Sequence, residues 1–244
     1  SILYVSYTNC IFAMIVTKKQ TCYTDLISRI LTLDIAPGSM LDEKLLSDEY
    51  ELSRTPLREV FQKLAGEGYL NLQENRGAKV SSMDLPNMRN FFQSAPMIYA
   101  AIARLAAENA NERQITALKM AQKRFRMASE NSETREMAMH NHEFHRIMGD
   151  MAGNPYLSPS LNRLLIDHTR MSQMFYKPVN SKERLLVWEA CDQHDQMIEA
   201  IEKADPATIV ELTMEHWELS RGRIEKFVRP DPLDMDLGMQ EAGE

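Results

Sequence analysis

Ser53-Arg54-Thr55-Pro56-Leu57-Arg58-Glu59-Val60 is the stretch on which the reading of the N-terminal third turns. Ser53 or Thr55 can cap a helix, and Pro56 falls in its first turn, where a missing N–H costs nothing. Leu57, Val60, Phe61 and Leu64 then recur at i, i+3, i+4 and i+7, the apolar stripe of an amphipathic helix. Gly66 and Gly68 end it. Arg54, Thr55 and Arg58 project from its N-terminal end.

Upstream, Leu45 and Leu46 mark a shorter helix, and Pro37-Gly38 breaks the approach to it. Leu26, Ile27, Ile30 and Leu31 form an earlier helical stripe, with Thr24 as its expected cap. Downstream the period changes to two. Leu70 and Leu72 alternate with polar residues, Asn75-Arg76-Gly77 makes a turn, and Ala78 and Val80 alternate again. Three helices and a hairpin predict a winged helix-turn-helix, whose last helix enters the major groove by its N-terminal end. Arg there can donate two hydrogen bonds to guanine O6 and N7, and the helix N-terminus favours phosphate. At the hairpin tip Arg76 lies beside Gly77, which permits close backbone approach.

The run from Pro37-Gly38 through Leu41, Glu43, Leu46, Ser53–Val60, Leu64, Glu67-Gly68, Arg76-Gly77 and Val80 resembles the DNA-binding domain of the GntR family of bacterial transcription regulators. The match holds in order over about 45 residues. The resemblance implies that Arg54, Thr55 and Arg58 read operator bases or phosphates. It also implies that Lys44 touches phosphate and that Arg76-Gly77 forms the wing tip. Phe61 stands where the family usually has Leu.

The remainder reads as an antiparallel bundle of six helices, or seven if Pro96 splits the first. Ala100–Glu108 consists of strong helix formers. Further segments run from Asn111 or Glu112 to Met127, Thr134 to Ala152, Pro155 to about Tyr176, Ser181 to Ala204, and Pro206 to about Val228. Gly153 is a terminator, and Asp205 caps the last helix.

Six histidines, His140, His142, His145, His168, His194 and His216, all fall in this part. Asn141 and His145, four apart, share a helix face. His194 lies on the stripe of Ile198 and Ile201, and His216 on that of Ile209 and Leu212. Three imidazoles aimed inward from three helices would make a divalent-metal site, although a single inward histidine is more often a hydrogen-bonded core residue. Phe144-His145, Gly153-Asn154-Pro155, Gln193-His194, Ile198, Ile201 and Met214-x-His216 resemble the FCD effector-binding domain of the FadR subfamily.

That resemblance implies a metal held by Asn141, His145, His194 and His216, zinc first, with nickel or manganese as alternatives. Asn141 replaces the family's usual Asp, so the site has one negative charge fewer and should bind the ion more weakly. The family's effector-gripping Arg and Glu are absent, and Ala95 and Tyr99 stand near their places. Tyr99, Arg146 and Arg170 are the remaining effector-binding candidates, although both arginines read first as surface charges.

The 244 residues carry a net charge of −7, which on its face argues against nucleic acid. The charge is unevenly spread. Residues 14–82 carry nine Lys/Arg and ten Asp/Glu, residues 83–229 carry 19 and 20, and the tail from 230 carries none and five. We therefore divide the chain into a leader at 1–13, a winged domain at 14–82, a helical effector and metal domain at 83–229, and an acidic, disordered tail at 230–244.

Cys10, Cys22 and Cys191 suggest no disulfide framework, which fits a cytoplasmic protein. No run approaches the roughly 20 apolar residues of a spanning helix. The expected function is transcription regulation: a homodimer on two-fold operator DNA, answering to a small carboxylate metabolite and catalysing nothing. A metal-dependent hydrolase and a metal-free interaction module are the alternatives. His142-Glu143-Phe144-His145 is one residue short of the HExxH metalloprotease motif.

Overall fold

The computed structural model describes residues 17–73 and 77–228. The expected leader, the acidic tail and the Asn75-Arg76 part of the hairpin turn lie outside the described residues.

Helices α1 (Lys18–Leu31), α2 (Glu43–Glu49) and α3 (Arg54–Gly66) are followed by strands β1 (Leu70–Gln73) and β2 (Gly77–Val80). The strands pair antiparallel, with Leu70 opposite Val80 and Gln73 opposite Gly77. Cys22, Leu26, Ile30, Leu46, Leu57, Val60, Phe61, Leu64, Leu70, Ala78 and Val80 form the core of this unit. Phe61 is fully accommodated there.

Two local expectations need correction. Thr17, not Thr24, caps α1, its hydroxyl accepting from the Gln20 N–H. The apolar stripe begins one turn earlier, at Cys22, so Thr24 lies inside the helix and donates to the Gln20 carbonyl. Leu45 is exposed, and only Leu46 anchors α2. Ser53 is the cap residue of α3 by position, although its side chain makes no capping bond.

Six helices follow: α4 (Leu85–Asn109), α5 (Glu112–Glu130), α6 (Thr134–Ala152), α7 (Ser158–Phe175), α8 (Ser181–Glu202) and α9 (Pro206–Val228). Pro96 does not split α4. An interior proline costs about 3 kcal/mol. Here Phe91 and Ala95 before it, and Tyr99, Ile102, Ala103 and Ala106 after it, all bury against the same core, so one apolar face carries the helix across the break. Helix α4 packs on α6, α7, α8 and α9, while α5 packs on α6 and α8.

The helix ends follow their sequence signals. Asn111 and Gln114 form a capping box on α5. Gly153 adopts a φ of +60° beyond α6, and Asp205 accepts from the N–H groups of Ala207 and Thr208 at the start of α9.

Candidate DNA-facing edge and histidine site

The N-terminal end of α3 stands free of the core. Arg54, Thr55 and Arg58 are exposed there because Leu57, Val60 and Phe61 take the opposite face inward. Beside it a groove of about 660 Å3 runs between α2, α3 and the hairpin, and brings Lys44, Arg58 and Gly77 together. Gly77 has a φ of +87°, a conformation that favours glycine, so the chain can turn there without strain. Glu43 pairs with Arg58 at 3.5 Å. Among the described residues neither Arg54 nor Lys44 has an acidic partner. The edge thus presents cations that phosphate can engage without first breaking an ion pair. Arg76 lies outside the described residues.

In the helical domain α6, α8 and α9 carry His145, His194 and His216 to one point. One nitrogen from each lies within 4.8 Å of the others, and all three residues are buried. Their rings are fixed from outside the cluster. Phe144 stacks on His194 at 4.0 Å and 8°. Gln122 Nε2 donates to the Cys191 carbonyl at 2.7 Å, which turns its Oε1 toward His194 Nδ1 at 3.0 Å. Gln193 Oε1 likewise meets His216 Nδ1 at 2.9 Å.

A carbonyl oxygen can only accept, so in both pairs Nδ1 carries the proton and Nε2 keeps its lone pair. Burial pushes all three imidazoles below their ordinary pKa, His216 to about 4. The neighbouring histidines push His145 and His194 further down. The cluster is therefore neutral at neutral pH.

His145 Nε2, His194 Nε2 and Asn141 Oδ1 are buried without a hydrogen-bond partner. Buried polar atoms without partners are costly; two of these ring nitrogens belong to the cluster, and Asn141 lies one turn before His145 on α6. Imidazole nitrogens with an amide oxygen form a donor set suited to a divalent ion such as zinc. The residues present fit the group.

The structure brings Tyr99 to this site, its ring against His145 and His168 and its hydroxyl 2.6 Å from His168 Nδ1. Arg146 is engaged elsewhere, at the surface, by Glu143 and Asp150. Arg170 is no surface charge: it is 0% exposed. It donates to the Ser81 carbonyl at 2.8 Å and to the Ser81 hydroxyl at 3.1 Å, and pairs with Asp167. Glu143, the acid of the near-HExxH run, pairs with Arg146, and His142 turns to Thr169 at 2.8 Å.

Sequence reasoning left His168, Gln122 and Gln193 without roles. Each had a signal, a polar residue on an apolar stripe: His168 four residues after Leu164, Gln122 four after Leu118, Gln193 four before Met197.

Residues 18–80 match the family described as bacterial regulatory proteins, gntR family, and residues 96–219 match the FCD domain. The chain is 29% identical to the HTH-type transcriptional repressor RspR of Escherichia coli K12 over 198 residues, 81% of this chain and 85% of that protein. It is 27% identical to the fatty acid metabolism regulator protein of Proteus mirabilis, over 65% of this chain and 74% of that one. The fold is shared with E. coli McbR/YncC, at a TM-score of 0.73, 16% identity, and 88% and 100% of the two chains. A putative GntR regulator from Rhodococcus sp. RHA1 gives a TM-score of 0.66 at 13% identity, over 87% and 99% of the two chains. The chain belongs to the GntR family of bacterial transcription regulators, with an FCD domain behind its winged helix-turn-helix.

Proposed function

We propose that this GntR-family regulator binds two-fold operator DNA as a homodimer and that a divalent metal in its helical domain makes operator affinity answer to a small organic acid. Arg54, Thr55 and Arg58 read the major groove, Lys44 holds phosphate, and the wing at Arg76-Gly77 supports the contact. Asn141, His145, His194 and His216 hold the ion, with zinc the first candidate. When bound, the ion would supply a Lewis-acid anchor for the effector's carboxylate. Tyr99 and His168 form a polar wall beside the histidine cluster.

The observation that carries this reading is the buried cluster of three neutral imidazoles, two of its ring nitrogens unpartnered, with the buried and likewise unpartnered Asn141 one turn before His145. The engagement of Glu143 by Arg146 weighs against a hydrolase, because a water-activating metal site works with a nearby base. Cytoplasmic residence follows from this reading. Among the described residues no helix is long and apolar enough to cross a membrane.

The test is a mobility shift on the DNA upstream of the gene, at low salt, with wild type and an Arg54→Ala/Arg58→Ala variant. A retarded band for wild type and loss of it in the variant is expected. Unretarded DNA with both proteins would refute operator binding.

A further inference from the structure

Helix α7 has two working faces. Leu161, Leu164, Leu165, His168 and Met171 form one stripe and pack into the bundle, His168 against His145 with rings 5.3 Å apart. Arg163, Ile166, Asp167, Arg170 and Gln173 form the other, which turns toward the winged domain. Arg170 and His168 are two residues apart, about 200° around the helix, so they face opposite ways.

The second stripe is a seat for the winged domain. Arg170 grips Ser81, the residue directly after β2, by both its carbonyl and its hydroxyl. Asp167 neutralises Arg170 and also binds Arg163 at 3.0 Å. The Arg163 stem lies against Gly68, the turn between α3 and β1. A Cβ built there would stand 2.5 Å from Arg163 Cδ, and Gly68 has a φ of +90°. Gln173 reaches the Leu31 carbonyl at the end of α1.

The ends of α1, α3 and β2 thus all come down on one helical stripe. Another bond across this junction, Arg135 to Asp34, is half-exposed and so carries little weight beside the buried one. A buried guanidinium with a fixed fork of donors is poor evidence for stability but sets register well. The same helix is tied to α6 through Thr169 and His142, one residue from Asn141.

We propose that α7 is the lever between the two domains: Arg170 is the positioning residue that seats the winged domain, and a change at the histidine cluster reaches that domain through α7. The second half rests on the metal reading above, and the first does not. The Arg170 Nε–H is buried with no acceptor, so a shifted seat that supplied one would gain a hydrogen bond.

Hydrogen exchange by mass spectrometry on the full chain tests both halves, in metal-free protein and with zinc alone as the probe. In metal-free protein, Arg170→Met should speed exchange across 66–83 at least tenfold. That segment includes the Ser81 amide bonded to the Tyr69 carbonyl. Exchange in α5, α6 and α8 should be unchanged. Arg170→Lys should restore part of the protection. If Arg170→Met does not fold, the half-exposed Arg163→Ala gives the same readout with a smaller effect, about threefold. Unchanged exchange across 66–83 in a folded variant overturns the seat.

Zinc should alter exchange across 66–83 in wild type. In Arg170→Met that response should vanish while zinc affinity stays within threefold. Zinc bound by wild type without any change across 66–83 overturns the lever. Failure of wild type to bind zinc refutes the metal reading instead, and the metal-free comparison still decides the seat.

Discussion

The DNA-facing edge and the histidine site are built in opposite ways. At the edge, Arg54, Thr55, Arg58 and Lys44 are exposed and come from neighbouring turns of α2 and α3. Their chemistry needs only that the core residues behind them face inward. At the histidine site every group is buried, none is charged at neutral pH, and the donors come from α6, α8 and α9. Their chemistry needs a tertiary arrangement, including Gln122 from α5 to fix the His194 tautomer. One candidate site presents exposed charge. The other holds neutral donor groups inside the bundle.

That contrast sets the expected sizes of effect. The largest should come from removing a donor inside the cluster. His194→Ala should lower zinc affinity by more than a hundredfold, read by competition with a chromophoric chelator, while DNA retardation without added metal is preserved. At the edge, Arg54→Ala should weaken operator binding about 5- to 150-fold, corresponding to about 1–3 kcal/mol. Lys44→Ala should instead lower the salt dependence of binding by about one ion, across all sequences alike. Between these lies the support of the metal donors. Gln122→Ala should cost about 10- to 100-fold in zinc affinity with little change in fold, which would show that tautomer control is part of the site.

Stability should separate the two regions by pH. His142 and His216 are pushed down to about 4, and His168 to about 3, all chiefly by burial. The folded state refuses protons that the unfolded chain accepts near the ordinary histidine value of about 6.5. The stabilisation is thus complete above about 6.5 and is lost as pH falls toward 4. Thermal melts between pH 7 and pH 4.5 should show the helical domain losing stability steeply. The winged domain has no histidine among its residues and should hold. Equal losses in both would contradict the contrast. The smallest expected effect is Asn141→Asp, which restores a negative donor and should raise zinc affinity about tenfold.

Much of this was legible in the sequence because it is local. The Ser53–Val60 run, the glycine stops and the switch to period two fixed the winged domain without distant information. The inward stripes of His145, His194 and His216 were legible for the same reason, and the helices that carry them converge. The misreadings have separate causes. Thr24 was expected to cap because the stripe was started at Leu26, and the buried Cys22 one turn earlier was passed over. Arg170 was expected at the surface because its own helix face looks polar, and only the docking of a second domain buries it. No periodicity within α7 records what lies opposite Arg163, Asp167 and Arg170. Pro96 warned of a break that packing on both sides of it overrides.

The most direct test of the account is zinc binding to the full chain by chelator competition, with X-ray absorption of the bound ion and the His194→Ala variant in parallel. The account predicts one ion per chain, bound through about three imidazole nitrogens with oxygen completing the shell, and loss of it in the variant. An ion bound equally well by His194→Ala, or no ion bound by wild type, would contradict it.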